Sequence, residues 1–116
     1  MEQTIKIKDA FKLNSVIYKI IKQQVNISAS NAFSLYKLHK NLNEIENFVF
    51  ERISLIYGDN FDFGNMSDEQ KVVYDAVMNS DITLDVPNIN VDELTNNDKL
   101  QMKIEDFEIL DFIFKL

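Results

Sequence analysis

From residue 35 to residue 56 an apolar side chain returns at every third or fourth position. Leu35, Leu38, Leu42, Ile45, Val49, Ile53 and Ile56 make one stripe with the period of an α-helix. The stripe predicts a helix of about 25–29 residues, roughly 40 Å long. Ser28 or Ser30 would cap its start. Gly58, directly after Tyr57, would stop it. Phe33, Tyr36, Phe48 and Phe50 lie partly off the stripe. They suggest a second flank, buried against neighbouring elements, a partner or another copy of the chain.

The flanking patterns are shorter. "TIKIK", Thr4 to Lys8, alternates polar and apolar residues and predicts a strand with Ile5 and Ile7 on one face. Asp9 would then cap a helix in which Leu13, Val16, Ile17, Ile20 and Ile21 keep helical spacing. Ser67 to Gln70 reads as a capping box ahead of a helix bearing Val72, Val73, Ala76 and Val77. "DITLDVPNINVDEL" predicts a strand with Ile82, Leu84 and Val86 on one face and the alternation resumed at Ile89 and Val91. Pro87 confines that strand to an edge or a bulge. Asn96 to Asp98 predicts a turn. "LQMKI" predicts a third strand with Leu100, Met102 and Ile104 inward. Asp106 would cap a last helix with an apolar face of Phe107, Leu110, Ile113 and Phe114, leaving Phe112 and Leu116 as a possible exposed patch. The expected fold class is α+β, in the order β-α-α-α-β-β-α. A small antiparallel or mixed sheet of about three strands is packed by one long helix and two to three shorter ones, in a single domain over residues 1–116.

Composition supports a globular domain. Apolar residues make up 46% and charged residues 27% of the 116, an ordinary balance. There is no cysteine, which fits a reducing compartment. "MEQTIKIKDAFKLN" has no apolar leader, and no stretch approaches the roughly 20 apolar residues of a membrane span. The expectation is a cytoplasmic protein with no membrane partner.

Charge changes the picture more. Residues 1–58 carry eight basic and five acidic side chains, a net of +3, whereas residues 59–116 carry four basic and fourteen acidic, a net of −10. The net charge of −7 with a single arginine argues against direct nucleic-acid binding, which needs clustered cations. The two halves either neutralise each other within the fold or leave an acidic surface for a basic partner. The acids that carry the second reading are Asp81, Asp85, Asp92 and Glu93, with Asp59 and Asp62 in the preceding loop.

Candidate chemistry is sparse. "DNFDFGNMSDEQ" has the outline of a calcium loop, but with Gly64 in sixth place the third and fifth positions are Phe61 and Phe63 and the twelfth is Gln70. A turn, tacked to the core by the two phenylalanines, explains it better. His39 is the one histidine and is flanked by Lys37 and Lys40, so neither a metal centre nor a catalytic triad is indicated. With glycines at 58 and 64 alone, no phosphate-cradling loop exists. The carboxylate pairs all have turn or capping explanations. No catalytic residue, metal or cofactor is expected.

Four segments together, "IKIKDAFKLNSVIYKI", "LNEIENFVFERISLIYGD", "DITLDVPNINVDEL" and "EDFEILDFI", resemble a family of short proteins encoded by tailed bacteriophages. The likeness covers most of the chain and rests on an "AFKLN" helix and an "ERxxxIYG" helix end. "QQVNIS" departs from the more regular linker of such sequences. The motifs are structural and carry over no catalytic residue. The resemblance implies a protein acting in the cytoplasm of an infected bacterium. Its best functional expectation is a non-catalytic binder of another protein, a host or anti-phage defence factor inhibited by steric occlusion or an acidic decoy surface, acting as a monomer or small homo-oligomer. The alternative is a structural or assembly component of a virion that self-associates through Phe33, Tyr36, Phe48 and Phe50.

Overall fold

The structure, a computed structural model, describes residues 1–115. Its elements are β1 (Glu2–Lys6), α1 (Ile7–Lys22), α2 (Ala29–Tyr57), α3 (Asp68–Met78), β2 (Asp81–Asp85), α4 (Val91–Thr95) and α5 (Ile104–Phe114). β1 and β2 pair antiparallel as a two-stranded sheet, with Glu2 opposite Asp85, Thr4 opposite Thr83 and Lys6 opposite Asp81. The class is α+β, as the patterns predict.

α2 is the spine. It starts where the Ser28 hydroxyl accepts the Asn31 amide (3.2 Å) and ends where Gly58, at φ +87°, turns its N–H onto the Ser54 carbonyl (2.7 Å). Leu35, Leu38 and Leu42 meet Leu13, Ile17 and Ile20 of α1, Leu84 of β2, and Leu110 and Ile113 of α5 in one buried core. Farther along, Val49 and Ile53 join Ile7 in a second cluster, covered by Tyr74, Val77 and Met78 of α3. The predicted capping box is formed: Ser67 Oγ accepts the Gln70 amide (3.2 Å) and Gln70 Oε1 accepts the Ser67 amide (2.9 Å). The loop before it is an aromatic staple. Phe61 stacks on Tyr57 at 5.2 Å between ring centroids, and Phe63 meets Phe61, Phe50 and Tyr74 edge-on.

The structure corrects the expected elements in several places. β1 ends at Lys6: Ile7 gives its N–H to Ser80 (2.9 Å), the last bond of the ladder, and at once begins α1. Ile7 therefore turns away from the side of Ile5 into the second cluster, and Asp9 lies inside the first helical turn rather than capping it. Ile21 and Ile56, the last members of their stripes, are exposed where their helices run past the core. The alternation at Ile89 and Val91 does not continue a strand. The Asn31 side chain takes both backbone groups of Asn90, and Val91–Thr95 then coils into α4. The third strand is absent. Gln23, just past α1, gives its Nε2–H to the Gln101 carbonyl (2.8 Å) and accepts the Gln101 amide on Oε1 (2.7 Å), so one side chain occupies the place of a neighbouring strand. Leu100 and Met102 still pack on the core, but Ile104 opens α5 and is 81% exposed. Asp106 caps α5 from within its first turn, its carboxylate accepting the Lys103 amide at 2.8 Å. The observed order is thus β-α-α-α-β-α-α. Phe112 is exposed, and Leu116 lies outside the described residues.

Candidate protein-docking edge

The hydrogen-bond parity of the β1–β2 ladder decides which backbone groups are free. In an antiparallel pair, opposed residues alternate between exchanging their hydrogen bonds and pointing them away. Val86 donates its N–H to the Met1 carbonyl (2.9 Å) and the Met1 ammonium donates to the Val86 carbonyl (2.9 Å), while Ile7 donates to Ser80 at the other end. The bonded positions are therefore the odd residues of β1 with Leu84 and Ile82 of β2. The N–H and C=O groups of Asp81, Thr83 and Asp85 point outward along β2, and those of Glu2, Thr4 and Lys6 point outward along β1. Among the described residues no further strand covers either edge.

On β2 the same three residues are also the exposed ones, while Leu84 is buried and Ile82 partly so. The outer face of β2 is thus Asp-Thr-Asp, with the carboxylates about 13 Å apart at four strand steps. Asp85 receives the Met1 ammonium at 3.4 Å, but both groups are about three-quarters exposed (74% and 75%), so water screens the pair. Pro87 follows in the outward-pointing register and has no N–H to offer, which ends the open edge.

The other sequence-predicted acids are dispersed. Asp59 and Asp62 sit beyond the C-terminus of α2, and Asp62 Oδ1 accepts the Gly64 amide (2.9 Å) in a local turn. Asp92 and Glu93 sit at the opposite end of that helix, which at 29 residues spans about 43 Å. Asp92 is exposed in the first turn of α4. Glu93 has structural work: it accepts the Ser28 amide and the Asn31 side-chain N–H (3.0 Å), holding the N-terminus of α2. Asp81 and Asp85 are the two that one element brings together.

Phe33, Tyr36, Phe48 and Phe50 do not share a flank. Phe33 and Phe48 are both exposed, fifteen residues or about 22 Å apart along α2. Each is overlaid by a cation, Lys37 at 5.4 Å and Arg52 at 5.0 Å from the ring centre. Phe50 belongs to the aromatic staple, 5.8 Å from Phe11 and 5.3 Å from Phe63. Tyr36 lines a shallow apolar cleft of about 200 Å³ with Ile20, Ile21, Val25 and Leu35.

Two features escaped the sequence reading. One is the open backbone edge, which depends on strand register. The other is a closed polar ring on the α1–α2 interface. Buried Asn14 donates to Asn43 Oδ1 (2.9 Å), and its own Oδ1 lies 2.8 Å from His39 Nδ1, whose other ring nitrogen lies 3.3 Å from Asn43 Nδ2. That geometry is satisfied when His39 carries its proton on Nδ1 and accepts at Nε2. Tyr18 stacks on the imidazole at 6.0 Å. The ring accounts for all the polar atoms it holds and joins two helices.

Electrostatically, pairing between the halves neutralises little of the acidic half. Among the described residues two ion pairs form, the Met1 ammonium with Asp85 and Lys19 with Asp106 (2.5 Å). Burial pushes the Asp106 carboxyl up, but the Lys19 hydrogen bond, the Lys103 amide and the charges of both lysines outweigh it and hold the group below the usual carboxylate range. The remaining acids of residues 59–116 have no cation within ion-pair distance among the described residues. No group of three or more His, Cys, Asp or Glu among the described residues is gathered to hold a metal ion, and no described helix is long and apolar enough to cross a membrane.

No family model, no curated protein and no solved structure matches the chain.

Proposed function

We propose that the protein is a non-catalytic binding domain that docks on a basic surface of another protein and occludes it. The observation that carries this reading is the pair of solvated carboxylates on β2, Asp81 and Asp85, set in an acidic half whose other carboxylates, Asp106 apart, form no ion pair among the described residues. Such a surface favours encounter with a positively charged partner and disfavours like-charged ones. With the phage resemblance, the partner class is a host or anti-phage defence protein, met in the cytoplasm of the infected cell, and the binding acts as inhibition or as an acidic decoy.

The test is capture from bacterial lysate by the immobilised full chain, with mass spectrometry, beside the double variant Asp81→Lys/Asp85→Lys. One host protein held in a fixed ratio, released by salt and lost with charge reversal, supports the reading. Capture unaffected by charge reversal overturns it.

A second reading, a self-associating structural component of a phage particle, is favoured by one observation. Antiparallel pairing of two β1 edges about Thr4 would set Glu2 of one copy opposite Lys6 of the other, since the outward positions of β1 are Glu2, Thr4 and Lys6. Light scattering over a range of concentrations decides it. A defined oligomer that Lys6→Glu dissociates supports self-association, and a monomer throughout removes it.

A further inference from the structure

We infer that the β2 edge is completed in the complex by an extended segment of the partner, added antiparallel as a third strand and carrying basic residues at alternate positions. The inference rests on the protein-docking reading above and specifies its chemistry. Three observations carry it. First, the ladder parity leaves a row of donors and acceptors at Asp81, Thr83 and Asp85 with no partner strand. A two-stranded sheet is the least that can form, and an unprotected edge is a template for another strand. Second, a strand bonded to those groups places its bonded residues directly beside Asp81, Thr83 and Asp85 on the outer face, and its alternate residues beside Ile82 and Leu84 on the core face. The complementary sequence therefore sets cations opposite Asp81 and Asp85, four residues or about 13 Å apart, with apolar residues at the intervening core-face positions. Third, the charge excludes the simplest competing occupant. Two β2 edges meeting antiparallel about Thr83 would set Asp81 of each copy against Asp85 of the other, which like charges disfavour.

The expected sheet order is β1-β2-partner. Main-chain bonds to Asp81, Thr83 and Asp85 supply orientation, and the two carboxylates supply selection for lysine or arginine. Truncation at Pro87 limits the added strand to about five residues.

The probes are seven-residue peptides, blocked at both ends, alternating lysine and valine from a first lysine. Binding is followed by amide exchange and NMR shifts on the full chain. The alternating peptide is expected to slow exchange at Asp81, Thr83 and Asp85. The same peptide N-methylated on its valines, whose amides face away from β2, should bind about as well, and its isomer N-methylated on the lysines should not bind. Replacing the lysines by glutamate, or introducing Asp81→Lys/Asp85→Lys, should weaken binding about tenfold or more. Equal binding of the two N-methylated isomers would mean charge attraction without strand addition, overturning this inference while leaving the docking reading in place. No binding of any lysine peptide, with host-protein capture still sensitive to charge reversal, would have the same meaning. Slowed exchange at the β2 amides on raising protein concentration, with no peptide present, would identify a second copy as the occupant and overturn it too.

Discussion

Removing the Asn31 side chain should unhinge one end of the molecule. Asn31 is 2% exposed, and its amide accepts the Asn90 N–H at 2.8 Å while donating to the Asn90 carbonyl at 2.9 Å and to Glu93 Oε2 at 3.0 Å. Two of these are neutral bonds, each worth about 1 kcal/mol net, and one goes to a carboxylate at about 1.5–3 kcal/mol. Water can reach part of the vacated site, because Ser28 beside it is exposed. We therefore expect Asn31→Ala to cost about 3 kcal/mol. For 116 residues the unfolding entropy is about 0.24 kcal/mol/K, so the midpoint should fall by about 12 °C. Urea unfolding followed by far-ultraviolet dichroism, with thermal melts in parallel, gives the number. Ser34→Ala is the control, since it removes an exposed 3.2 Å bond to Asn88 in the same region and should change stability by less than about 0.5 kcal/mol. Asn31→Asp keeps the shape but turns a carboxylate on Glu93 and on the Asn90 carbonyl. Its loss should exceed that of alanine at pH 7 and shrink in acid as the new charge is neutralised. If Asn31→Ala costs no more than Ser34→Ala, residues 86–95 are not held through Asn31, and the account of why the alternation at Ile89 and Val91 forms no strand fails.

Other expectations follow from the same kind of accounting. The folded Asp106 carboxyl lies below its usual range, so the unfolded chain takes up that proton more readily. The Lys19–Asp106 contribution is complete above the ordinary aspartate value of about 4 and is lost as pH falls through the folded value; Lys19→Met should be destabilised by about 1 kcal/mol at pH 7, and the difference should vanish in acid on urea titration. Gly58→Ala meets no atom within 4 Å, so its cost is that of the backbone alone at φ +87° and ψ 170°, a region essentially restricted to glycine, about 2–3 kcal/mol by chemical denaturation. Asn14→Ala opens the ring with His39 and Asn43 and leaves polar groups of both without partners, for a loss of about 2 kcal/mol; if Asn14→Ala/Asn43→Ala costs the sum of the two single changes, the three side chains do not act as a ring.

Periodicity and capping were legible because they are local. The stripe from Leu35 to Ile53 placed α2 and its buried face, Ser67 and Gln70 announced the start of α3, and the two phenylalanines at 61 and 63 gave the loop its anchor. What failed was decided at a distance. "LQMKI" has strand-like alternation, yet the partner of Gln101 is a glutamine side chain 78 residues earlier. Ile7 looked like a strand residue because the alternation continues through it, but its neighbour Ser80 uses its own N–H to finish α3 on Val77 (3.1 Å), so the ladder has nothing further to bond. The acids were legible as a composition and not as a surface. Glu93 is consumed in holding α2, and Asp59 and Asp92 stand at opposite ends of a long helix. The four aromatic residues around α2 were grouped by being off the stripe, whereas rotation about the helix sends each to different surroundings.

The sheet stays two-stranded for a reason that bears on function. Two other extended segments, 86–90 and 100–103, have the alternation to join it. Each instead gives the backbone groups of one residue to a side-chain amide on a helix terminus: Asn90 to Asn31 at the start of α2, and Gln101 to Gln23 at the end of α1. A planar amide offers one donor and one acceptor, spaced as a strand neighbour would offer them, so each segment is satisfied where it lies. With both of these segments tied to helices, neither is left for the β2 edge. Covering that edge with a helix would have buried Asp81 and Asp85, at a desolvation cost that an exposed edge avoids. The same two carboxylates that keep the edge in water and keep a second β2 from pairing with it would be satisfied by a strand carrying cations at the matching positions. Protection against the wrong partner and selection of the right one are then the work of the same side chains.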